Sequence, residues 1–327
     1  MASQVKPMAW VTLATTDAYA LGALVLAHSL RQAGTAHQVV IMVTPGVSQQ
    51  MRAQLAGPFD SVIAVDVMDS GDAAHLALMA RPELGVTLTK LHCWTLRQFS
   101  KCVFLDADCL VMTNCDELFE REELSAAPDI GWPDCFNSGV FVFTPSDDTF
   151  NALVRLAAET GSFDGGDQGL LNTYFSDWST RDIGRHLPFL YNMTASAAYT
   201  YLPAFRRFGR DVKIVHFLGA HKPWTSPEHA DPGSPTGRFH CAWWDVYHGH
   251  VRPAAPQFVV SVGSEDGKPV DSATSELVSG MGRLQMSPPS ADEAARRGAW
   301  ERGQMDYMGS DSFENILNKI NHTLSNK

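Results

Sequence analysis

The chain predicts an α/β fold built on a mostly parallel, Rossmann-like sheet with helices on both faces. Three observations predict it. Short, mostly apolar runs recur at residues 10–13, 39–43, 62–65 and 101–105, the run over 39–43 being continuous. Segments with helical apolar spacing or helix-capping residues separate these runs. The length of 327 residues, 45% of them hydrophobic, supplies enough chain for a full core.

Taken in order, residues 10–13 read as the first strand. Thr15, Thr16 and Asp17 follow as a helix cap, and Leu21, Leu24, Val25 and Leu26 form the apolar face of a helix ending near Gly34. Residues 39–43 read as a buried strand. Pro45 and Ser48 open a second helix through Leu55, and residues 62–65 form a third strand. A helix is expected over 87–99, then a strand over 101–105. Residues 132–143 read as a polar loop feeding another strand, and 147–160 as a helix. A glycine-rich stretch at 161–169 permits tight turns and close ligand approach. It carries Asp164 and Asp167 and leads into a helix over 168–175, which Asp167 is placed to cap. A strand over 212–215 runs into His216, Gly219 and Lys222. Residues 240–250 form a last packing element.

From Arg252 the composition turns to Pro, Gly and Ser, the mark of a linker over 252–291. In the terminal segment, 292–327, Asp311 and Glu314 have capping-box spacing, and Phe313, Ile316, Leu317 and Ile320 fall on one helical face. That short helix has no core of its own, which favours docking on a partner. Residues 1–251 are then the main domain. No internal repeat is present.

The chemistry centres on Val103-Phe104-Leu105-Asp106-Ala107-Asp108. If this segment stays extended, Asp106 and Asp108 point the same way. Two carboxylates on one face repel unless a cation lies between them, and a hard divalent ion prefers oxygen ligands. The preceding strand would bring this pair to the sheet's carboxyl edge. No Gly-x-Gly-x-x-Gly follows the first strand and no Walker loop occurs. A nucleotide here would be held by a metal and separate side chains. His216 can join the metal shell, and Lys222 can neutralise a phosphate.

Other classes are disfavoured. The net charge is −11 with no basic tract, which argues against nucleic acid. No apolar run suits a bilayer and no signal sequence opens the chain, so a cytoplasmic protein is expected. The six cysteines show no Cys-x-x-Cys pair and read as packed or exposed thiols. Asn192-Met193-Thr194 and Asn321-His322-Thr323 match the N-glycosylation pattern, which a cytoplasmic chain does not use.

Four motifs then occur together: Phe104-Leu105-Asp106-Ala107-Asp108, Phe136-Asn137-Ser138-Gly139-Val140, Phe163-Asp164-Gly165-Gly166-Asp167-Gln168-Gly169 and His216-Phe217-Leu218-Gly219. With them the chain resembles the glycogenin family, retaining and self-glucosylating glycosyltransferases of the GT-A fold, over about residues 8–250. The likeness returns over 300–313, where the family binds glycogen synthase. The resemblance implies transfer of glucose from UDP-glucose to the chain's own Tyr199, with Tyr201 second in line. Extension by α-1,4 links would then give a primer glucan. It implies Mn²⁺, or Mg²⁺, on Asp106, Asp108 and His216, and diphosphate contacts from Lys90, Gly219 and Lys222. Leu13, Thr15, Thr16 and Tyr19 fall where the family binds uridine, Thr16 standing in place of an Asn. Arg81, Ala107, Asn137, Ser138, Asp164, Asp167 and Gln168 match the nucleotide and glucose pocket, with Asp167 the catalytic assistant. A homodimer, in which one subunit glucosylates the other, and a glycogen synthase contact through residues 300–320 are also implied. Two competing readings are a catalytically silent adaptor for the synthase and a UDP-sugar transferase for a small external acceptor.

Overall fold

The computed structural model describes residues 6–72, 75, 82–180, 182–194, 201–219, 222–225 and 237–252. Its strands are β1 (Met8–Ala14), β2 (Gln38–Val43), β3 (Ser61–Ala64), β4 (Lys101–Leu105), β5 (Cys109–Val111), β6 (Ser125–Pro128), β7 (Phe136–Phe143), β8 (Met193–Thr194) and β9 (Ile214–His216). Its α-helices are α1 (Asp17–Gln32), α2 (Gln49–Leu55), α3 (Asp147–Glu159), α4 (Asp167–Tyr174), α5 (Leu202–Phe208) and α6 (Gly237–Val246).

The main sheet has the order β3-β2-β1-β4-β7-β6. The first three pairings are parallel, and β7 runs antiparallel to both β4 and β6. Both faces are covered, which explains the continuous apolar runs. Trp10, Ile41, Val103 and Leu105 face one cluster, built with Leu24 and Leu26 of α1 and Phe239 and Trp243 of α6. Their neighbours Val11, Met42, Cys102 and Phe104 face the other, built with Leu91, Trp94, Leu153 and Leu170. The second cluster is aromatic: Phe104 stacks on Phe141 with ring centroids 5.1 Å apart, and Phe141 on Trp94 at 5.5 Å.

Several expectations hold in detail. Thr16 and Ser48 cap α1 and α2 through their hydroxyls. Cys93, Cys102, Cys109 and Cys115 are buried thiols, as expected. Others are corrected. The segment expected as a helix over 87–99 is a 3-10 helix, Pro82–Thr95. Asp167 does not cap α4, since Gly166 holds that position and no side chain caps it. Tyr201 is 67% exposed and precedes α5, with a proline in the helix's first turn. No described helix is long and apolar enough to cross a membrane. Tyr199, Arg81, the linker beyond Arg252 and the terminal segment lie outside the described residues.

A small second sheet, β5-β9-β8, was not anticipated. It begins where β4 ends, and it places the chemistry.

Candidate active site

At the end of β4 the chain turns, with Cys109 N–H donating to Asp106 O at 2.9 Å. Asp106-Ala107-Asp108 is therefore a turn between two sheets, not an extended run. The two carboxylates still line one cavity, but the turn brings them there, not strand alternation. Helix α1 presses on this turn. A Cβ on Gly22 would fall 2.6 Å from Ala107 O, so only glycine allows the approach.

The strand β5 pairs antiparallel with β9, setting Cys109 opposite His216. Phe217 N–H donates to Asp108 O at 2.9 Å and extends that pairing. This register, not sequence proximity, carries His216 to the aspartates.

Two lysines divide the carboxylates between them. Lys90, on the 3-10 helix, has its Nζ 3.0 Å from Asp106 Oδ1 and 2.6 Å from Asp167 Oδ2. Lys222 binds Asp108 Oδ2 and donates to Phe217 O at 3.1 Å. The other oxygen of each aspartate faces His216. Asp108 Oδ1 lies 3.3 Å from His216 Nε2, and Asp106 Oδ2 lies 4.0 Å from it.

The charge states follow from this arrangement. Burial alone would lower the Lys90 ammonium, but Asp106 and then Asp167 outweigh it and raise its pKa. Burial would raise Asp108, yet His216 and Lys222 hold its carboxyl well below the usual range. Asp106 goes the other way. Burial raises its pKa, with Asp108 and Asp167 adding to that, against Lys90 and His216.

The donor set fits a hard divalent cation. One oxygen of each aspartate lies 4.0 or 3.3 Å from the imidazole nitrogen, and ligands about 2.1 Å from one octahedral ion stand roughly 3–4 Å apart. The lining residues carry five carboxylates (Asp106, Asp108, Asp129, Asp164 and Asp167) against two ammonium groups, Lys90 and Lys222. A dication would offset two of the three excess negative charges. Cys109 lies within the same cluster of potential ligands as Asp108 and His216. Burial pushes its thiol far up, and a hard divalent ion prefers the carboxylate oxygens to sulfur.

The cavity has a volume of about 530 Å³, within the range of small-molecule and cofactor sites. Leu13, Thr15, Thr16 and Tyr19 line it after β1, and Ala107, Asn137, Ser138, Asp164, Asp167, Gln168, His216, Gly219 and Lys222 complete the set named from the sequence. Of those residues, Arg81 and Tyr199 alone lie outside the description. Thr16 lines the cavity while its hydroxyl caps α1. Asp164 Oδ1 accepts from Ser162 Oγ at 2.7 Å and Gly166 N–H at 2.9 Å, closing the glycine loop. Freed from capping, the Asp167 carboxylate turns to Lys90, while its N–H donates to Thr87 Oγ1 at 3.1 Å.

Three site residues escaped the sequence. Asp129 accepts from Asn137 Nδ2 at 2.9 Å and from Gln168 Nε2 at 3.2 Å. Thr87 lines the cavity. Asn192, 1% exposed, bonds His216. None stands in a distinctive motif, and Asn192 drew attention only as a glycosylation match.

Gly139 touches the ring of His216, and a Cβ there would lie 2.6 Å from Nδ1. Gly139→Ala should displace the imidazole and weaken Mn²⁺ binding by at least about tenfold. Calorimetric titration with Mn²⁺ tests this, and unaltered binding would refute it.

A family model, Glycosyl transferase family 8, matches residues 10–228. The chain is 54% identical to glycogenin-1 of Mus musculus, across 95% of this chain and 97% of that one. It is 53% identical to glycogenin-1 of Oryctolagus cuniculus with the same coverage. Human glycogenin-2 is 55% identical over 76% of this chain and 52% of that one. Among solved structures, the galactosyltransferase LgtC with donor and acceptor sugar analogues superposes with a TM-score of 0.52 at 20% identity, over 74% of this chain and 96% of that one. The apo bifunctional glycosyltransferase WbbM gives 0.53 at 18% identity, over 78% and 52%. At those identities the likeness concerns the fold.

Proposed function

The chain belongs to the glycogenins of glycosyl transferase family 8 and is a glycosyltransferase, and from that membership we propose that it glucosylates its own Tyr199 from UDP-glucose. The observation that carries the proposal is the approach of Asp108 Oδ1 and Asp106 Oδ2 to His216 Nε2, at 3.3 and 4.0 Å, within the cavity. These residues would hold Mn²⁺, with Mg²⁺ as the alternative. Such an ion offsets the charge that grows on the departing diphosphate.

The chain's own groups do the rest. Lys90 and Lys222 supply fixed positive charge beside the aspartates, and with Gly219 they meet the diphosphate. Leu13, Thr15, Thr16 and Tyr19 take the uridine end. Arg81, Ala107, Asn137, Ser138, Asp164 and Gln168 take the nucleotide and glucose. Asp167, held by Lys90, faces the sugar. Retention proceeds by carboxylate attack or by same-face attack, and Asp167 assists in either. A phenol with a pKa near 10 must shed its proton as it attacks, so Tyr199 needs a base beside it. Asp167 or the leaving phosphate serves.

Later glucoses add by α-1,4 links and leave a primer glucan on the protein. A tyrosine held in a rigid domain does not easily reach its own site, which argues for a homodimer. Residues 252–291 serve as linker, and residues 300–320 carry the glycogen synthase contact, in the cytoplasm.

Incubated with radiolabelled UDP-glucose, the protein should take up label only while Mn²⁺ or Mg²⁺ is present, and EDTA should abolish uptake. EDTA-resistant uptake would overturn the metal assignment. Tyr199→Phe should abolish self-labelling yet still glucosylate an added maltoside; continued self-labelling would move the acceptor to Tyr201. Deletion of residues 300–327 should leave self-labelling intact and end co-precipitation with glycogen synthase; retained binding would refute the tail's role.

A further inference from the structure

His216 meets the aspartates through Nε2 and turns Nδ1 inward, 2.9 Å from Asn192 Oδ1. Its tautomer follows from what each partner is able to donate or accept. Asp129 Oδ2 lies 2.9 Å from the Asn137 amide nitrogen, and a carboxylate only accepts. The Asn137 NH₂ group therefore faces Asp129. The backbone N–H of Gly139, which only donates, lies 3.0 Å from Asn137 Oδ1 and imposes the same orientation independently. Asn137 Oδ1 then also accepts from Asn192 Nδ2 at 2.8 Å. That turns Asn192 Oδ1 toward the imidazole. An amide oxygen only accepts, so Nδ1 must donate.

In the neutral imidazole, the form that binds a cation, Nε2 is then left with a lone pair on the side of Asp108 Oδ1 and Asp106 Oδ2. Reversing either amide would set oxygen against oxygen, at Asn192 (1% exposed) or Asn137 (4% exposed). At that burial an unmade hydrogen bond has no water to replace it. The same bonds occupy both ends of the Asn192 amide, so the N-x-T match there is a buried structural asparagine.

We propose that Asp129, Asn137 and Asn192 form a one-way hydrogen-bond relay that holds the His216 proton on Nδ1 and presents the Nε2 lone pair to the cation. Asn192 is then a positioning residue for a metal ligand, the role that outer-shell partners of ligating histidines fill. The inference rests on the reading of Asp106, Asp108 and His216 as the metal site.

The test is the tautomer itself, read in metal-free protein labelled with ¹⁵N-histidine at alkaline pH. His216→Gln identifies the resonances. A pyrrole-type Nδ1 and a pyridine-type Nε2 are expected in the wild type. An Nε2–H tautomer would overturn the relay, and needs no variant to reveal it. Asn192→Leu should move the proton to Nε2 and weaken binding of Mn²⁺ alone by about 10–100-fold. A folded Asn192→Leu protein that binds Mn²⁺ as the wild type does would refute the role. Wild-type protein with the Nδ1–H tautomer but no Mn²⁺ binding would overturn the metal reading and leave the proton assignment standing.

Discussion

Asp108→Asn should lower the rate of glucose transfer by about 10²–10³-fold, and Asp106→Asn by a similar factor, because each removes one converging oxygen charge from the cation site. Their effects on stability should differ. The Asp108 side chain is 7% exposed and pairs with both Lys222 and His216. Asparagine there removes the carboxylate charge that faces a buried ammonium, a loss of about 3–5 kcal/mol in other buried pairs. The Asp106 side chain is 30% exposed and shares Lys90 with Asp167, so its replacement leaves that lysine neutralised. Asp106→Asn should therefore stay near wild-type stability, and excess Mn²⁺ should restore part of its activity. Steady-state rates across a Mn²⁺ series, with thermal melts alongside, check both. Wild-type rates in either variant would refute the metal assignment.

Lys90→Met should be as damaging for a different reason. The side chain keeps its length and loses the charge that joins Asp106 to Asp167, at 3.0 and 2.6 Å. Two carboxylates would then face each other across the gap. A loss of about 3–5 kcal/mol in stability is expected, with transfer reduced by about 10²-fold or more. Lys90→Arg should not rescue it. The Lys90 side chain is 5% exposed, and a planar guanidinium does not fit where a point charge is enclosed. A Lys90→Met protein within a few-fold of the wild-type rate would show that the cation is dispensable.

The sheet was legible because both its faces are buried. Trp10 and Val11 belong to opposite clusters, so β1 reads as a continuous apolar run, and β2 and β4 do likewise. Local capping chemistry was equally readable at Thr16 and Ser48. Short-range signals failed where a long-range partner decided the outcome. Asp167 has the composition of a cap, but a lysine 77 positions earlier in the chain claims its carboxylate. Lys90 itself carries no motif, and its burial comes from the 3-10 helix over which it packs on Phe104, Nζ lying 5.0 Å from the ring centroid. The Asp-x-Asp spacing suggested an extended strand, yet a change of sheet at Asp106 brings the pair to the cavity. Asp129 and Asn192 are polar residues whose role exists only through Asn137 and His216, and no spacing along the chain records such contacts.

The most direct test is the intact mass of the purified protein, freed of prior sugar, after incubation with UDP-glucose and Mn²⁺, followed by peptide mapping. A ladder of hexose additions confined to the peptide carrying Tyr199 is the expected result, and it would identify enzyme, donor and acceptor together. An unchanged mass in protein that binds UDP and Mn²⁺ would contradict self-glucosylation and point to an external acceptor or to a silent adaptor.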